Sequence, residues 1–85
     1  MTLEQIRIFV EAARYNSFTL AAQRLGMTQS AVSVSVRKLE EEFKVSLFER
    51  IGRKVVVSTA GQILLNEGER LLRDVDLTVR RIESF

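Results

Sequence analysis

The sequence of 85 residues contains no cysteine, no histidine and no proline. Without cysteine there is no disulfide, and without cysteine and histidine zinc fingers and almost every transition-metal site are excluded. The same absences remove Ser-His and Cys-His nucleophile pairs and the most common general base. Carboxylate or lysine chemistry remains formally open, but the sequence shows no convergent set of carboxylates. The composition therefore predicts a protein that is not an enzyme and that binds no cofactor or metal.

The sequence also lacks long apolar runs and any sign of a targeting segment. No uninterrupted apolar run exceeds three residues, which is far too short to span a bilayer. The first residues, MTLEQIRIF, do not join a basic start to an apolar stretch as a signal peptide does. The length allows one globular domain at most. We therefore expect a soluble cytoplasmic protein without membrane contact.

The charges are nearly balanced but unevenly distributed. A net charge of +2, from 13 basic and 11 acidic residues, is by itself a weak indication of a nucleic-acid partner. From Lys44 to Asn66 the only acid is Glu49, whereas acids gather at 40–42 and from 67 onward. The basic residues of this interval are Lys44, Arg50, Arg53 and Lys54. The pattern is either ordinary surface scatter or a local cationic edge that attracts anions.

Capping residues and helical spacing predict two helices at the start of the chain. Thr2 and Gln5 form a capping box for a first helix that ends near residues 15–16. A short second helix, roughly 19–25, is closed by Gly26 as a left-handed residue. Its candidate caps are Ser17 and Thr19.

The next segment, TQSAVSVSVRKLEEEF, alternates Val and Ser as a half-buried strand would. A helix would instead bring four apolar side chains within about 60° of one another. These are Val32, Val36, Leu39 and Phe43. The stripe continues into a plainly helical stretch, and no turn residue separates the two parts. We therefore predict a helix over 29–43 with Thr28 as its cap.

The opposite face of this helix is unusual in composition. Ser30, Ser33, Val34 and Arg37 lie away from the stripe, and Gln29 lies in the first turn. Solvated helix faces favour Glu, Lys, Arg and Gln, because Ser and Val are poorer helix formers. The face is either a tolerated, slightly poor surface or one that approaches a partner closely. Short hydroxyl, amide and methyl groups suit the base edges and phosphates of a nucleic-acid groove. Two helices joined by a tight glycine turn, the second with such a face, indicate a helix-turn-helix.

A β-hairpin is predicted after residue 43. Val45, Leu47 and the run 55–57 are strand-like, and residues 49–54 form a basic, glycine-containing tip between them. Such a hairpin is either a structural ribbon whose tip is basic only for solubility, or a wing that contacts phosphates or the minor groove. The side chains that would make these contacts are Arg50, Arg53 and Lys54.

A long helix, capped by Ser58, is predicted over 59–83. Its roughly 25 residues span about 38 Å, which is too long for so small a domain to cover. We expect only about its first two turns to pack on their own domain, so that the remainder pairs with a second copy. The chain would then divide into a winged helix-turn-helix domain, 1–58, and a dimerisation helix, 59–85. The apolar residues expected in the pairing seam are Leu65, Leu72, Val75, Val79 and Ile82.

The combined motifs resemble the N-terminal DNA-binding region of LysR-type transcriptional regulators. They are SF-x-x-AA-x-x-L, QSAVS, LE-x-x-F, LFER, and S/T-x-AG opening a helix, and the likeness covers essentially the whole chain. The resemblance implies a mainly α fold with a small β-hairpin: a winged helix-turn-helix followed by a linker helix that pairs two subunits. It implies binding to double-stranded promoter DNA with dyad-symmetric half-sites. It also implies a larger C-terminal effector-binding domain, absent from this chain, through which alone a small-molecule effector would act.

The resemblance assigns roles to several residues. It implies that Gln29, Ser30 and Ser33 contact bases or backbone, and that Thr28 caps the recognition helix and touches phosphate. It implies that Arg50 and Arg53 act as residues of the wing.

Three positions depart from the family pattern. Val34 stands where Arg or another polar residue is frequent, so a base contact there becomes at most a methyl contact. Lys44 replaces the usual glycine that ends the recognition helix. Gly26 replaces a polar turn residue.

One alternative of a different class remains open. A winged helix can serve protein interaction alone, with Val34 and the long helix contacting partner proteins. Retarded mobility of duplex DNA, steeply weakened by salt, would separate the two functions.

Overall fold

A computed structural model describes residues 1–85, which form four α-helices and one two-stranded antiparallel hairpin. The elements are α1 Leu3–Tyr15, α2 Phe18–Leu25, α3 Gln29–Phe43, β1 Phe48–Ile51, β2 Lys54–Val57 and α4 Thr59–Glu83. The predicted fold class, mainly α with a small hairpin, is confirmed. No helix combines the length and the apolar character needed to cross a membrane.

Each helix begins at a hydroxyl side chain that accepts a hydrogen bond from a backbone N–H three residues later. The caps are Thr2, Ser17, Thr28 and Ser58. Thr2 and Gln5 complete the predicted capping box. Ser17 rather than Thr19 caps α2, so that helix begins at Phe18, one residue before the predicted start.

The first three helices all end in a left-handed residue. Gly26 has a φ of 66° and closes α2 as predicted. Asn16 and Lys44 adopt the same region with φ of 47° and 55°. For Lys44 this conformation costs about 1 kcal/mol, because its Cβ crowds the following carbonyl.

The hydrophobic core surrounds α1, which packs against α2, α3 and α4. One buried cluster joins α1 to Leu39 of α3 and to Leu47 and is covered by α4, and a second lies between α1, α2 and α3. Phe48 of the hairpin packs against both clusters, and its ring lies 5.4 Å from that of Phe9 and 5.0 Å from that of Phe18. The three rings therefore fix the hairpin to the helical core.

The predicted apolar stripe of α3 is buried over three of its four residues. Val32, Val36 and Leu39 are almost fully enclosed. Phe43 is 44% exposed, so its predicted burial is wrong. It is the last residue of α3 and lies one turn beyond Leu39, where the helix has passed the core.

The hairpin is tighter than predicted. Strand pairing extends to Ile51 opposite Lys54, so only Gly52 and Arg53 remain at the tip. Gly52 has a φ of 64°, as a two-residue hairpin turn requires. The predicted loop 49–54 is therefore mostly strand, and both Val45 and Leu47 lie outside the sheet. Backbone pairing across a two-residue turn prevails here over the low strand preference of charged side chains.

The end of α3, the start of β1 and the start of α4 meet at Leu47. The Glu40 carboxylate accepts a hydrogen bond from the Leu47 N–H at 2.7 Å, and the Ser58 N–H donates to the Leu47 carbonyl at 2.9 Å. The Ser58 hydroxyl donates to the Ser46 carbonyl at 2.6 Å while it accepts from the Gly61 N–H. A Cβ at Gly61 would overlap the Leu47 carbonyl oxygen. This close contact is the physical reason for glycine in the S/T-x-AG motif.

The long helix packs on its own domain further than predicted. A Cβ at Gly68 would lie 3.1 Å from methyl groups of Ile6 and Val10, so α4 crosses α1 closely at that point. Four leucines of α4 pack against the α1 core: Leu64, Leu65, Leu71 and Leu72. The expectation that only two turns contact the domain is wrong, because Leu72, about four turns into α4, still packs against the core. From residue 76 onward its side chains are exposed.

We predict that Gly61→Ala lowers the free energy of unfolding by about 1–3 kcal/mol, because the new methyl group displaces the backbone at Leu47. Urea denaturation followed by circular dichroism measures this change. Gly68→Ala is the matched comparison, because it gains the same helix propensity but its Cβ would lie 3.1 Å from two side-chain methyl groups and would not overlap a carbonyl, so we expect a smaller loss. A Gly61→Ala variant as stable as the unmodified chain would contradict the close contact.

Candidate nucleic-acid interface

An open groove runs between α3 and the hairpin, beside the start of α2. We call it the wing-side groove. Six of the nine residues predicted to contact DNA line it. They are Gln29, Ser33 and Arg37 on α3, and Arg50, Arg53 and Lys54 on the hairpin. The fold therefore brings residues 29–37 of α3 next to residues 50–54 of the hairpin.

Burial of the α3 stripe positions the three helical residues. Ser33 and Arg37 lie about 100° and 140° around the helix axis from the buried Val32. This angle turns them away from α1 and toward the hairpin. Gln29 is exposed in the first turn, and the Thr28 hydroxyl accepts a hydrogen bond from the Ala31 N–H at 3.1 Å. The hydroxyl hydrogen of Thr28 has no acceptor in the structure, so it is free to donate to a partner.

The cations of the groove are not neutralised within the chain. Arg50 lies on β1, Arg53 in the turn and Lys54 at the start of β2, and all three are exposed. Neither these side chains nor Arg37 forms an ion pair. The ion pairs instead use Arg14, Arg24, Arg70 and the N-terminal amine.

Two carboxylates also line the wing-side groove. Glu40 is engaged by the Leu47 N–H, so its role is to hold the hairpin against α3. Glu49 lies opposite Val56 in the sheet and makes no hydrogen bond or ion pair with a side chain. Four cations face these two acids, so the groove remains cationic and attracts anions.

Several lining residues were not identified from the sequence as part of a site. Ser17 and Thr19 at the start of α2 were considered only as caps, and Val55 and Val56 only as strand residues. The position of Ser17 and Thr19 beside α3 results from the close α2–α3 packing, in which small, buried Ala21 and Ala22 take part. The sequence signal that could have identified Ser17 and Thr19 is that two hydroxyl side chains precede the two alanines.

The remaining α3 residues lie on the other side of the helix. Ser30 and Val34 line a shallower groove between α3 and the start of α1, together with Lys38. We call it the α1-side groove. Its wall on α1 is formed by Thr2, Glu4, Gln5 and Ile8. The outward edge of α3 thus separates a cationic groove from a more apolar one.

The residues predicted for dimerisation occupy three different environments. Leu65 and Leu72 are half-buried against the α1 core. Val75 and Val79 line a shallow apolar groove with Leu3 and Leu71. Ile82, at 71% exposure, lies beyond the body of the domain. Leu77, which was not among the predicted residues, is also half-exposed.

Solved structures with the same fold include protein–DNA complexes. The chain superposes on the BenM_DBD/catB site 1 DNA complex with a TM-score of 0.94 and 33% sequence identity, over 99% of this chain and 93% of that one. It superposes on full-length CbnR complexed with target DNA with a TM-score of 0.89 and 26% identity, over 99% of this chain and 29% of that one.

Similar curated proteins are described as transcriptional regulators. The RuBisCO operon transcriptional regulator of Allochromatium vinosum is 50% identical over 62 residues, which cover 73% of this chain and 20% of that protein. The probable RuBisCO transcriptional regulator of Synechocystis sp. is 44% identical over 84 residues, which cover 99% of this chain and 24% of that protein. The chain therefore spans about a quarter or less of the length of these relatives.

The family model described as "Bacterial regulatory helix-turn-helix protein, lysR family" matches residues 3–62. This range contains α1, α2, α3, the hairpin and the first turn of α4. The match agrees with the resemblance that the motifs indicated. The chain belongs to the lysR family of bacterial regulatory helix-turn-helix proteins.

Proposed function

We propose that this chain is the sequence-specific double-stranded-DNA-binding module of a dimeric transcriptional regulator. The observation that carries the proposal is the convergence of Gln29, Ser33 and Arg37 with three unpaired wing cations along one groove. The DNA complexes of BenM_DBD and CbnR, which share the fold, support it. In this function the chain acts by binding and catalyses no reaction.

The dimensions and chemistry of α3 suit the major groove. A helix about 10–12 Å across fits a groove about 12 Å wide. Ser30 and Ser33 are short enough to let the helix approach base edges or the backbone closely. Gln29 can make a bidentate contact with adenine, and the hydroxyl of Ser33 can make a single hydrogen bond. Arg37, one turn further along, extends the same contact surface.

The hairpin supplies the electrostatic part of the interface. Arg50, Arg53 and Lys54 would lie along the phosphate backbone or in the adjacent minor groove. The Thr28 hydroxyl would donate to a phosphate while it caps α3. Contacts of this kind hold the protein in register on the duplex but do not read sequence.

The assembly that we propose divides the chain by function. Residues 1–58 would form the winged helix-turn-helix, and residues 59–85 would form the linker that pairs two subunits. The first half of α4 would also complete the core, while Val75, Val79 and Ile82 would lie in the seam between subunits. A two-fold dimer presents two recognition helices to dyad-symmetric half-sites.

The whole protein would include more than this module. An effector-binding domain would follow the linker and would be the site of any small-molecule control, and a higher oligomer could then form. Binding to chromosomal promoters would place the protein in the cytoplasm.

Selection of bound sequences from a random duplex pool tests the proposed function. We expect recovery of a two-fold symmetric site whose affinity falls steeply with salt, as phosphate neutralisation requires. Failure to retain any duplex at low salt would contradict the proposal. It would favour the alternative in which Val34 and α4 contact a protein partner.

We predict that Arg53→Ala weakens binding to all duplexes alike and lowers the salt-dependence slope by about one counterion, because Arg53 contacts phosphate. Fluorescence anisotropy over a range of salt concentrations measures both quantities. Arg73→Ala is the control, because it removes an exposed, unpaired cation on α4 outside the groove. A change in the preferred sequence with an unchanged slope would show instead that the wing reads bases.

We predict that Gln29→Ala costs about 1–3 kcal/mol on the selected site and relaxes preference at one base position in each half-site. Binding to every single-base variant of the site measures the effect. Gln23→Ala removes an exposed glutamine on α2 outside the wing-side groove and should change neither quantity. If Gln29→Ala left the preference intact at every position, direct reading by Gln29 would be wrong.

We predict that Val79→Glu converts the dimer to monomers, because it places two charges in one apolar seam. Val79 is preferable to Leu72 for this test, since Leu72 also supports the core of its own domain. Sedimentation equilibrium at tens of micromolar gives the oligomeric state, and thermal unfolding verifies that the domain remains folded.

Leu77→Glu is the matched control for the seam. Leu77 is as exposed as Val79, at 47% and 46%, but points about 160° away around the helix. We expect it to leave the dimer intact. A monomeric unmodified chain, or dissociation by Leu77→Glu alone, would contradict the proposed seam.

A further inference from the structure

Val34 is an apolar residue on the outward edge of the helix that we propose enters DNA. It is 41% exposed, and its neighbours one turn away on either side are Ser30 and Lys38. Valine gains little from this position in the free protein, because it is a poor helix former and its methyl groups remain in water. A partner that covers these methyl groups would gain from their burial.

The two sides of α3 differ in chemistry around Val34. The wing-side groove presents the amide of Gln29, the hydroxyl of Ser33 and the cations. The α1-side groove presents the methyl groups of Val34 and Ala31, and Ala31 is also exposed. The hydroxyl oxygen of Ser35 in this groove is buried and cannot reach a partner, whereas the hydroxyl of Ser30, one turn before Val34, is exposed. The exposed methyl groups of α3 thus lie on the α1 side of its outward edge, and the amide of Gln29 and the hydroxyl of Ser33 lie on the wing side.

We infer that Val34 selects a thymine in each half-site by contact with the thymine 5-methyl group. This inference rests on the proposed function and deepens it. The thymine 5-methyl is the only apolar group that the four bases expose in the major groove. Val34 has no hydrogen-bonding atom in its side chain, so a methyl contact is the specific interaction open to it. Val34 extends further from the axis than Ala31, which makes it the first of the two to reach a base.

The geometry of α3 also gives the place of that thymine. Val34 lies five residues after Gln29, a rise of about 7.5 Å along the helix. Base pairs follow one another about every 3.4 Å, so this rise corresponds to about two base steps when the helix lies along the groove. The thymine should therefore lie about two base pairs from the base that depends on Gln29.

A thymine-to-uracil scan of the selected duplex tests the inference, because uracil lacks only the methyl group and keeps its base pair. We expect one position per half-site where uracil weakens binding of the unmodified protein about fourfold, the value for one buried methyl group. Replacement in both half-sites should weaken binding about fifteenfold, because the free-energy losses at the two contacts add. This position should lie about two base pairs from the one that Gln29→Ala relaxes.

Three variants assign the methyl contact to its residue. Val34→Ala should bind thymine and uracil duplexes equally at that position, and alanine will not disturb the helix. Val34→Thr keeps one methyl group and the branched shape, so it should retain part of the discrimination. Ala31→Ser is the matched control and should discriminate as the unmodified protein does.

The outcomes separate this inference from the proposed function. A tight, salt-sensitive site with no uracil-sensitive position would overturn thymine selection and leave DNA binding intact. Uracil sensitivity that persists in Val34→Ala and disappears in Ala31→Ser would assign the contact to Ala31 and overturn the role of Val34. If the pool yields no bound duplex, both the proposed function and the inference fail.

Discussion

The rotation of α3 about its own axis decides which of its side chains can reach a partner. Burial of Val32, Val36 and Leu39 against the rest of the core sets this rotation. Each of these side chains gains about 1.5–3 kcal/mol from burial, which far exceeds any preference among the small polar residues opposite. A turn of the helix that exposed the stripe would also remove Gln29 and Ser33 from the wing-side groove. The rotation of α3 therefore determines both the packing of the core and the position of the proposed recognition surface.

The position of the hairpin depends on the same helix. Phe48 packs its ring between those of Phe9 and Phe18, while Glu40 near the end of α3 accepts a hydrogen bond from the Leu47 N–H. Ser58 then ties the start of α4 to Ser46 and Leu47, the residues immediately before β1. The wing cations thus stand at a fixed place beside α3 and not on a free loop. A surface that is organised before binding loses less conformational entropy when it binds.

Much of the fold could be predicted because its determinants are local. The caps at Thr2, Thr28 and Ser58 and the left-handed Gly26 mark helix boundaries through short-range hydrogen bonds and backbone geometry. What the sequence did not reveal depends on crossings between distant segments. The extent of α4 packing depends on the close approach of α4 to α1 at Gly68. In the sequence, Gly68 appears only as an interruption of an apolar stripe. Likewise, periodicity placed the α3 face opposite the core, but its division into two grooves depends on the hairpin and on α1.

In the proposed dimer, the N-terminal half of α3 and the hairpin form one DNA-binding surface. Amide chemical-shift changes of the isotopically labelled chain, measured while the selected duplex is added, test it most directly. We expect the largest changes in residues 28–37 and 50–54, while residues 73–83 of the preformed dimer helix change little. If saturating duplex shifted only the α4 amides and left residues 28–37 and 50–54 unchanged, α3 and the hairpin would not form the DNA-binding surface.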